Sequence, residues 1–366
     1  MKKALFFLLI ANATSAQNLS ISANAGYSVP NHPKFTPITT AAYSGMLGYT
    51  NSSAHTSWGK YIGTPDYLVA VSAESLGNPA VLGNAFGVMP CLVFGKNTHW
   101  QFEFGLGAAY LDKTYDPFTN PNNTVLGSPV SFFGHTVLAY RPVLKLPIWV
   151  GLQVNHYSNG SVAQPNLGAN TASLGVRWER VNTLVLANDK NTENIVNKNE
   201  ENIVATNIAA KTKTVAANFR TSLGITERGL DGPKYLAYTI SADASRRFGT
   251  VHKVCVGAEY IFSESPYMFM RYSGFSATEA QQQAQRFVVY VGYELLLGYV
   301  GIVGEGGFYL NKHFAQNSII STKIGANLYF KNIIKKPNGF SPYMGVYVRG
   351  YFGQADFMEM AVGTRF

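Results

Sequence analysis

Apolar and polar residues alternate with a period of two along most of this chain. In HWQFEFGLGAAYL (99–111) the even positions carry Trp100, Phe102, Phe104, Leu106, Ala108 and Tyr110. The odd positions carry His99, Gln101, Glu103, Gly105, Gly107, Ala109 and Leu111. In YLAYTISADASRR (235–247), Leu236, Tyr238, Ile240 and Ala242 alternate with Ala237, Thr239, Ser241 and Asp243. Successive side chains of a strand point to opposite faces, so this pattern predicts strands with one apolar face and one polar or small face. It predicts strands near 18–29, 41–50, 66–76, 80–95, 99–111, 129–141, 146–158 and 170–180. A second set is predicted near 214–226, 235–248, 252–263, 285–297, 299–310, 318–331, 340–353 and 356–366. The segment ATEAQQQAQR (277–286) reads as a short helix or a polar loop.

Between the two sets runs NDKNTENIVNKNEENIVATNIAAKTK (188–213), rich in Asn, Lys and Glu. Such a segment cannot bury a core and reads as a solvated linker. Eight strands suffice for a small closed barrel. The expectation is therefore an all-β chain of transmembrane antiparallel β-barrels, two in tandem with eight strands each. The first would span 17–180 and the second 214–366, with a polar linker over 181–213. One sixteen-stranded barrel is the alternative; the long linker argues against it, because the turns on one side of such barrels are short. The halves also resemble each other in collinear order. GAAYLDK (107–113) matches GGFYLNK (306–312), GLQVNHYSNG (151–160) matches GVYVRGYFGQ (345–354), and SLGVRW (173–178) matches AVGTRF (361–366). A tandem duplication accounts for this order.

Composition narrows the class. The chain is 13% aromatic and 13% charged and holds 35 glycines. That suits strands between lipid and a polar lumen, although a secreted β-sandwich would share it. The start, MKKALFFLLIANATSAQ, has two lysines, a short apolar run and small residues. It reads as a secretory signal peptide over 1–16, too short to span a bilayer. No other apolar run approaches a spanning helix, which excludes a helical membrane protein. The net charge of +9 comes without a basic block, so nucleic acid is not an expected partner; a mildly basic surface would suit an anionic lipid headgroup, although most basic proteins have no such partner. Cys91 and Cys255 make no disulfide framework. The histidines show no paired ligand spacing, so neither a metal nor another cofactor is expected.

The sharpest chemical signal is in PIWVGLQVNHYS. Its even residues are Ile148, Val150, Leu152, Val154, His156 and Ser158, so parity puts His156 and Ser158 at one end of the apolar, lipid-facing stripe. Trp149, among the odd residues, is an exception to the pattern. Polar side chains facing hydrocarbon are costly, and their presence asks for a functional reason. An imidazole beside a hydroxyl can act as base and nucleophile towards an ester.

The longer string HYSNGSVAQPNLGAN (156–170) resembles the signature of the lipid A 3-O-deacylase family, through His156, Ser158, Asn159 and the spaced Gln164 to Asn166. The resemblance extends loosely over 18–180. It implies an eight-stranded bacterial outer-membrane barrel that hydrolyses an ester-linked acyl chain of lipid A. Ser158 would be the nucleophile, His156 the general base, and Asn166 with Asn159 the oxyanion contacts. At the position of Asn170 that family has Glu to orient the histidine. Asn170 serves in its place, or Asp112 or Asp116 substitutes, or the site is slow or inactive. The terminal Phe366 in FMEMAVGTRF is similar to the C-terminal signal of bacterial outer-membrane barrels. His156 aligns with Gly350 and Ser158 with Phe352, so the second half reads as a degenerate copy. The expected function is that of an outer-membrane serine esterase acting on lipopolysaccharide in the outer leaflet. The alternative is a non-enzymatic barrel, a pore or an envelope-structural protein, with a relic site.

Overall fold

The computed structural model describes residues 18–30, 32–95, 98–144, 146–180, 215–311, 318–351 and 354–366. The expected signal peptide (1–16) and polar linker (181–213) lie outside the described residues, as does Phe352.

Among the described residues, sixteen strands form. The first eight are β1 (Asn18–Ser28), β2 (Ala41–Ser52), β3 (Asp66–Ser75), β4 (Asn84–Phe94), β5 (Trp100–Leu111), β6 (Val130–Tyr140), β7 (Ile148–Ser158) and β8 (Ala169–Arg180). The others are β9 (Ala216–Glu227), β10 (Lys234–Phe248), β11 (His252–Ser263), β12 (Gln285–Leu297), β13 (Val300–Tyr309), β14 (Ile320–Tyr329), β15 (Ser341–Tyr351) and β16 (Gln354–Arg365). Within each set of eight, consecutive strands pair antiparallel and the last pairs with the first, so each set closes on itself. Ile21 of β1 faces Leu47 of β2 on one side and Trp178 of β8 on the other. Leu223 of β9 faces Tyr238 of β10 and Met360 of β16. The single sixteen-stranded barrel is thereby excluded. The three collinear sequence matches fall on β5 and β13, β7 and β15, and β8 and β16, strands eight apart each time, as a duplication produces.

Both barrels are apolar outside and polar inside. On the first, Ile21, Val69, Val71, Leu152, Val154, Leu174 and Val176 all point outward and are exposed. A continuous belt of this kind far exceeds what water tolerates and fits hydrocarbon. The lumen of the first barrel holds a buried polar chain. Glu103 receives Arg177 at 2.5 Å and lies 3.2 Å from His135, and Arg177 also reaches Glu179 at 3.3 Å. Trp149, the exception in the sequence pattern, is buried in this lumen. Its indole donates to Glu179 at 3.0 Å and the Arg141 guanidinium lies 4.4 Å over its ring. A large aromatic is admitted on the polar face because cations cover its π-surface and a carboxylate takes its N–H.

The other lumen is more densely charged. Lys323 reaches Glu259 at 2.6 Å and Glu359 at 2.7 Å, Arg220 reaches Glu305 at 2.7 Å, and Arg349 pairs with Glu259. Lys253 and Glu294 lie 2.5 Å apart. Interior side chains thus fill both eight-stranded lumens, as is usual at this size.

The strand predicted over 80–95 starts at Asn84. Asn78 ends the preceding loop by accepting the N–H groups of Val81, Leu82 and Gly83 on its carbonyl, and Gly83 takes a positive φ of 69°. After β11 comes α1 (Glu264–Tyr272), for which there was no expectation, and then α2 (Ala277–Ala284), the helix option for 277–286. Ser276 and Glu279 form a capping box at the start of α2. Cys91 and Cys255 are free thiols.

Four connections, 29–40, 76–83, 112–129 and 159–168, share one end of the first barrel. Leu76, Leu82, Val125 and Leu126 are buried there together, continuous with Phe133 and Tyr157 in the lumen, and Phe35 and Leu167 pack against them. This apolar cap stiffens the barrel end where β7 finishes and β8 begins. Because the first barrel closes without β9–β16, a fragment of residues 17–185 is expected to refold into detergent micelles. The check is heat-modifiable mobility on denaturing gels; aggregation of the fragment would contradict it.

Candidate active site

Strand β7 obeys strict parity. Ile148, Val150, Leu152 and Val154 are exposed on the outer wall, and His156 follows them on the same face, also exposed. Ser158 is half-buried at the strand end, while Trp149, Gln153, Asn155 and Tyr157 are buried in the lumen. The outward placement expected of His156 from the sequence is what the strand adopts.

Cross-strand register supplies the partner. His156 stands opposite Asn170 of β8 and Gly134 of β6. The imidazole Nδ1 lies 2.6 Å from Asn170 Oδ1. An amide oxygen only accepts, so Nδ1 is the donor in this contact, and in the neutral imidazole Nε2 is then the acceptor. That is the tautomer a general base needs. On the other side Gly134 leaves the ring uncovered; a Cβ there would be 3.8 Å from the His156 Cβ.

Behind the ring sits a residue that the sequence reading missed. Gly168 has φ +75°, and a Cβ on it would come within 3.0 Å of His156 Cε1 and of the Tyr157 carbonyl. Both backbone and contact therefore demand glycine. Its place just before β8 was a legible turn signal, whereas its approach to the imidazole depends on how the chain returns.

The turn after Ser158 is held by its own polar groups. Asn159 donates its backbone N–H to Asn166 Oδ1 at 3.0 Å and its side-chain amide to Ala163 O at 2.9 Å. Gly160 and Ser161 both take positive φ, 65° and 71°. Asn159 thus uses its backbone N–H and one side-chain N–H within the turn. Asn166 accepts on its side-chain oxygen within that turn.

The two alternative acids are used elsewhere. Asp112 accepts the backbone and side-chain N–H groups of Asn84 at 2.6 and 2.8 Å. Asp116 accepts the N–H groups of Thr119 and Phe118 at 2.7 and 2.9 Å, which hold its carboxyl below the usual carboxylate range. The partner of the His156 ring is Asn170. Among the described residues, no group of three His, Cys, Asp or Glu side chains is arranged as metal ligands would be.

A family model described as lipid A 3-O-deacylase matches residues 43–179, and one described as acyloxyacyl hydrolase, C-terminal domain, matches residues 211–366. No curated protein sequence matches the chain. Similar solved structures include the outer membrane enzyme PagL, 20% identical over 43% of this chain and 98% of that chain, with a TM-score of 0.30. The NanC porin is 7% identical over 94% of this chain and 97% of that chain, with a TM-score of 0.18. OccAB4 of Acinetobacter baumannii is 11% identical over 97% of this chain and 98% of that chain, with a TM-score of 0.25.

The contact of Gly168 yields a direct expectation. Gly168→Ala should lower stability by about 1–2 kcal/mol through the left-handed backbone alone. It should also push the His156 ring away from Asn170. Denaturant unfolding in detergent reads the first effect and the His156 ring resonances read the second.

Proposed function

We propose that the chain is a hydrolase removing an ester-linked acyl chain from lipid A in the bacterial outer membrane, because a lipid A 3-O-deacylase family model matches residues 43–179 and an acyloxyacyl hydrolase C-terminal domain model matches residues 211–366. The observation that carries the reading is the exposed His156 on the outer wall, hydrogen-bonded through Nδ1 to Asn170.

The substrate enters sideways from the leaflet, its acyl chain along the apolar stripe of β7. Ser158 Oγ attacks the acyl carbonyl while His156 Nε2 takes the hydroxyl proton. The carbonyl oxygen becomes an oxyanion, to which the amide of Asn166 donates, with Asn159 holding Asn166 by its backbone N–H. His156 then gives its proton to the leaving sugar oxygen, and the C–O bond breaks. A water molecule, deprotonated by His156 in turn, cleaves the acyl-Ser158 ester and releases a fatty acid. Atoms balance as ester plus water giving hydroxyl plus fatty acid, and no cofactor takes part.

Asn170 fixes the tautomer but brings no charge to the imidazolium that forms with each proton transfer. A carboxylate at the same distance would stabilise that cation. The role of the second barrel differs. Gly350 stands where His156 stands in the first, and its ion-paired lumen is packed with side chains, which argues against a pore.

Two measurements on the purified full chain test the reading. A serine-directed phosphonate probe should label Ser158 in the wild type and fail to label Ser158→Ala or His156→Ala. Fatty-acid release from purified lipid A should rise about tenfold in Asn170→Asp and fall about 100-fold in Asn170→Ala, magnitudes typical of groups assisting acid–base catalysis. Labelling that ignores His156, or release that ignores Ser158, would contradict it.

A further inference from the structure

The wall of the barrel is one residue thick, so the lumenal neighbours of His156 bear on its position. Its two neighbours along β7, Asn155 and Tyr157, both point inward and are buried. The residue after Asn170, Thr171, is buried in the lumen as well. All three donate to one carboxylate. Asn155 Nδ2 reaches Glu74 Oε2 at 2.7 Å, Tyr157 OH reaches the same oxygen at 2.5 Å, and Thr171 Oγ1 reaches Oε1 at 2.6 Å. Glu74 lies on β3, four strands from β7 in the closed order, so its carboxylate reaches across the lumen.

A buried carboxylate is an expensive way to fill space, and apolar residues of similar size would serve stability as well or better. What it offers is direction. Donors from β7 and β8 converge on its two oxygens immediately behind the outward pair of His156 and Asn170. A slip or rotation of β7 against β8 breaks at least one of these bonds. Two further contacts support the arrangement: His135 Nδ1 lies 2.7 Å from Asn155 Oδ1, and the Phe133 ring stacks on Tyr157 with centroids 4.8 Å apart.

We propose that Glu74 is a positioning residue for the site, acting through the wall: it locks β7 to β8 from the lumen and so holds the His156 imidazole against Asn170 on the outer face. The proposal rests on His156 being the general base, and its test separates the two ideas. The conservative variant is informative. In Glu74→Gln the amide oxygen can accept from Asn155 and Tyr157, and the amide N–H can donate to Thr171 once that hydroxyl turns. The tie survives without the charge. Glu74→Ala removes it.

In the full chain, with barrel closure checked by heat-modifiable gel mobility, Glu74→Ala should lower kcat for lipid A deacylation about 10- to 100-fold with KM within about twofold, as misplacement of a catalytic group does. Glu74→Gln should stay within about threefold of wild type on the same scale. The second readout is the ¹⁵N imidazole spectrum of His156, which needs no turnover. Wild type and Glu74→Gln should show one tautomer, protonated at Nδ1, and Glu74→Ala a mixture. If Glu74→Ala fails to close, the double variant Tyr157→Phe, Thr171→Val carries the same expectation of lowered kcat and mixed tautomers. An unchanged His156 tautomer and unchanged kcat in a closed barrel lacking the tie would overturn the proposal, as would Glu74→Gln behaving like Glu74→Ala. A wild type that releases no fatty acid overturns the enzymatic reading, while the tautomer spectrum still judges the tie.

Discussion

In a closed eight-stranded barrel each strand presents alternate side chains to the membrane and to the lumen, and everything else in this chain depends on that constraint. The lumen must be filled with side chains that satisfy one another, because each buried polar group left alone costs several kcal/mol, roughly 2–7 by transfer data. Whatever fixes the inner set also fixes the outer set, one residue away on the same backbone. In β7 the inner residues Trp149, Asn155 and Tyr157 are held by Glu179 and Glu74, and the outer residue His156 inherits that order. The polar pair of His156 and Asn170 on the outer wall is thereby held in register from within.

The two barrels solve the filling problem differently. The first mixes a polar chain, Glu74 to Asn155 to His135 to Glu103 to Arg177, with an apolar cluster beneath its loops. The second relies on interlocked charges around Lys323, Arg220 and Arg349. Removing one partner from such a network leaves an uncompensated buried charge, which typically costs about 3–5 kcal/mol. Each network therefore resists piecemeal change. The outer face of β15 carries Gly350 where β7 has His156.

Much of this was legible in the sequence because strand parity is a local property. Alternation alone locates every strand to within a few residues and puts His156 on the outward face. The boundary at Asn84 was missed because the Asn78 turn borrows residues that look strand-like. Helix α1, ESPYMFMRY, escaped because nine residues are short for a helical period to register in the sequence and Pro266 in the first turn reads equally as a turn signal. Trp149 looked out of phase because its cationic and acidic partners come from Arg141 and Glu179, distant in sequence. The pairing of His156 with Asn170 was suggested by parity and family resemblance. Glu74 and Gly168 were not, since each acts across space that only closure of the barrel defines.

The most direct test of the account is mass spectrometry of lipid A from a heterologous outer membrane carrying either the wild-type chain or Ser158→Ala, with insertion confirmed for both. Loss of the mass of one ester-linked acyl chain with the wild type alone is the predicted result, and it would also establish that Asn170 suffices beside His156. Lipid A of unchanged mass in both membranes would contradict the central claim.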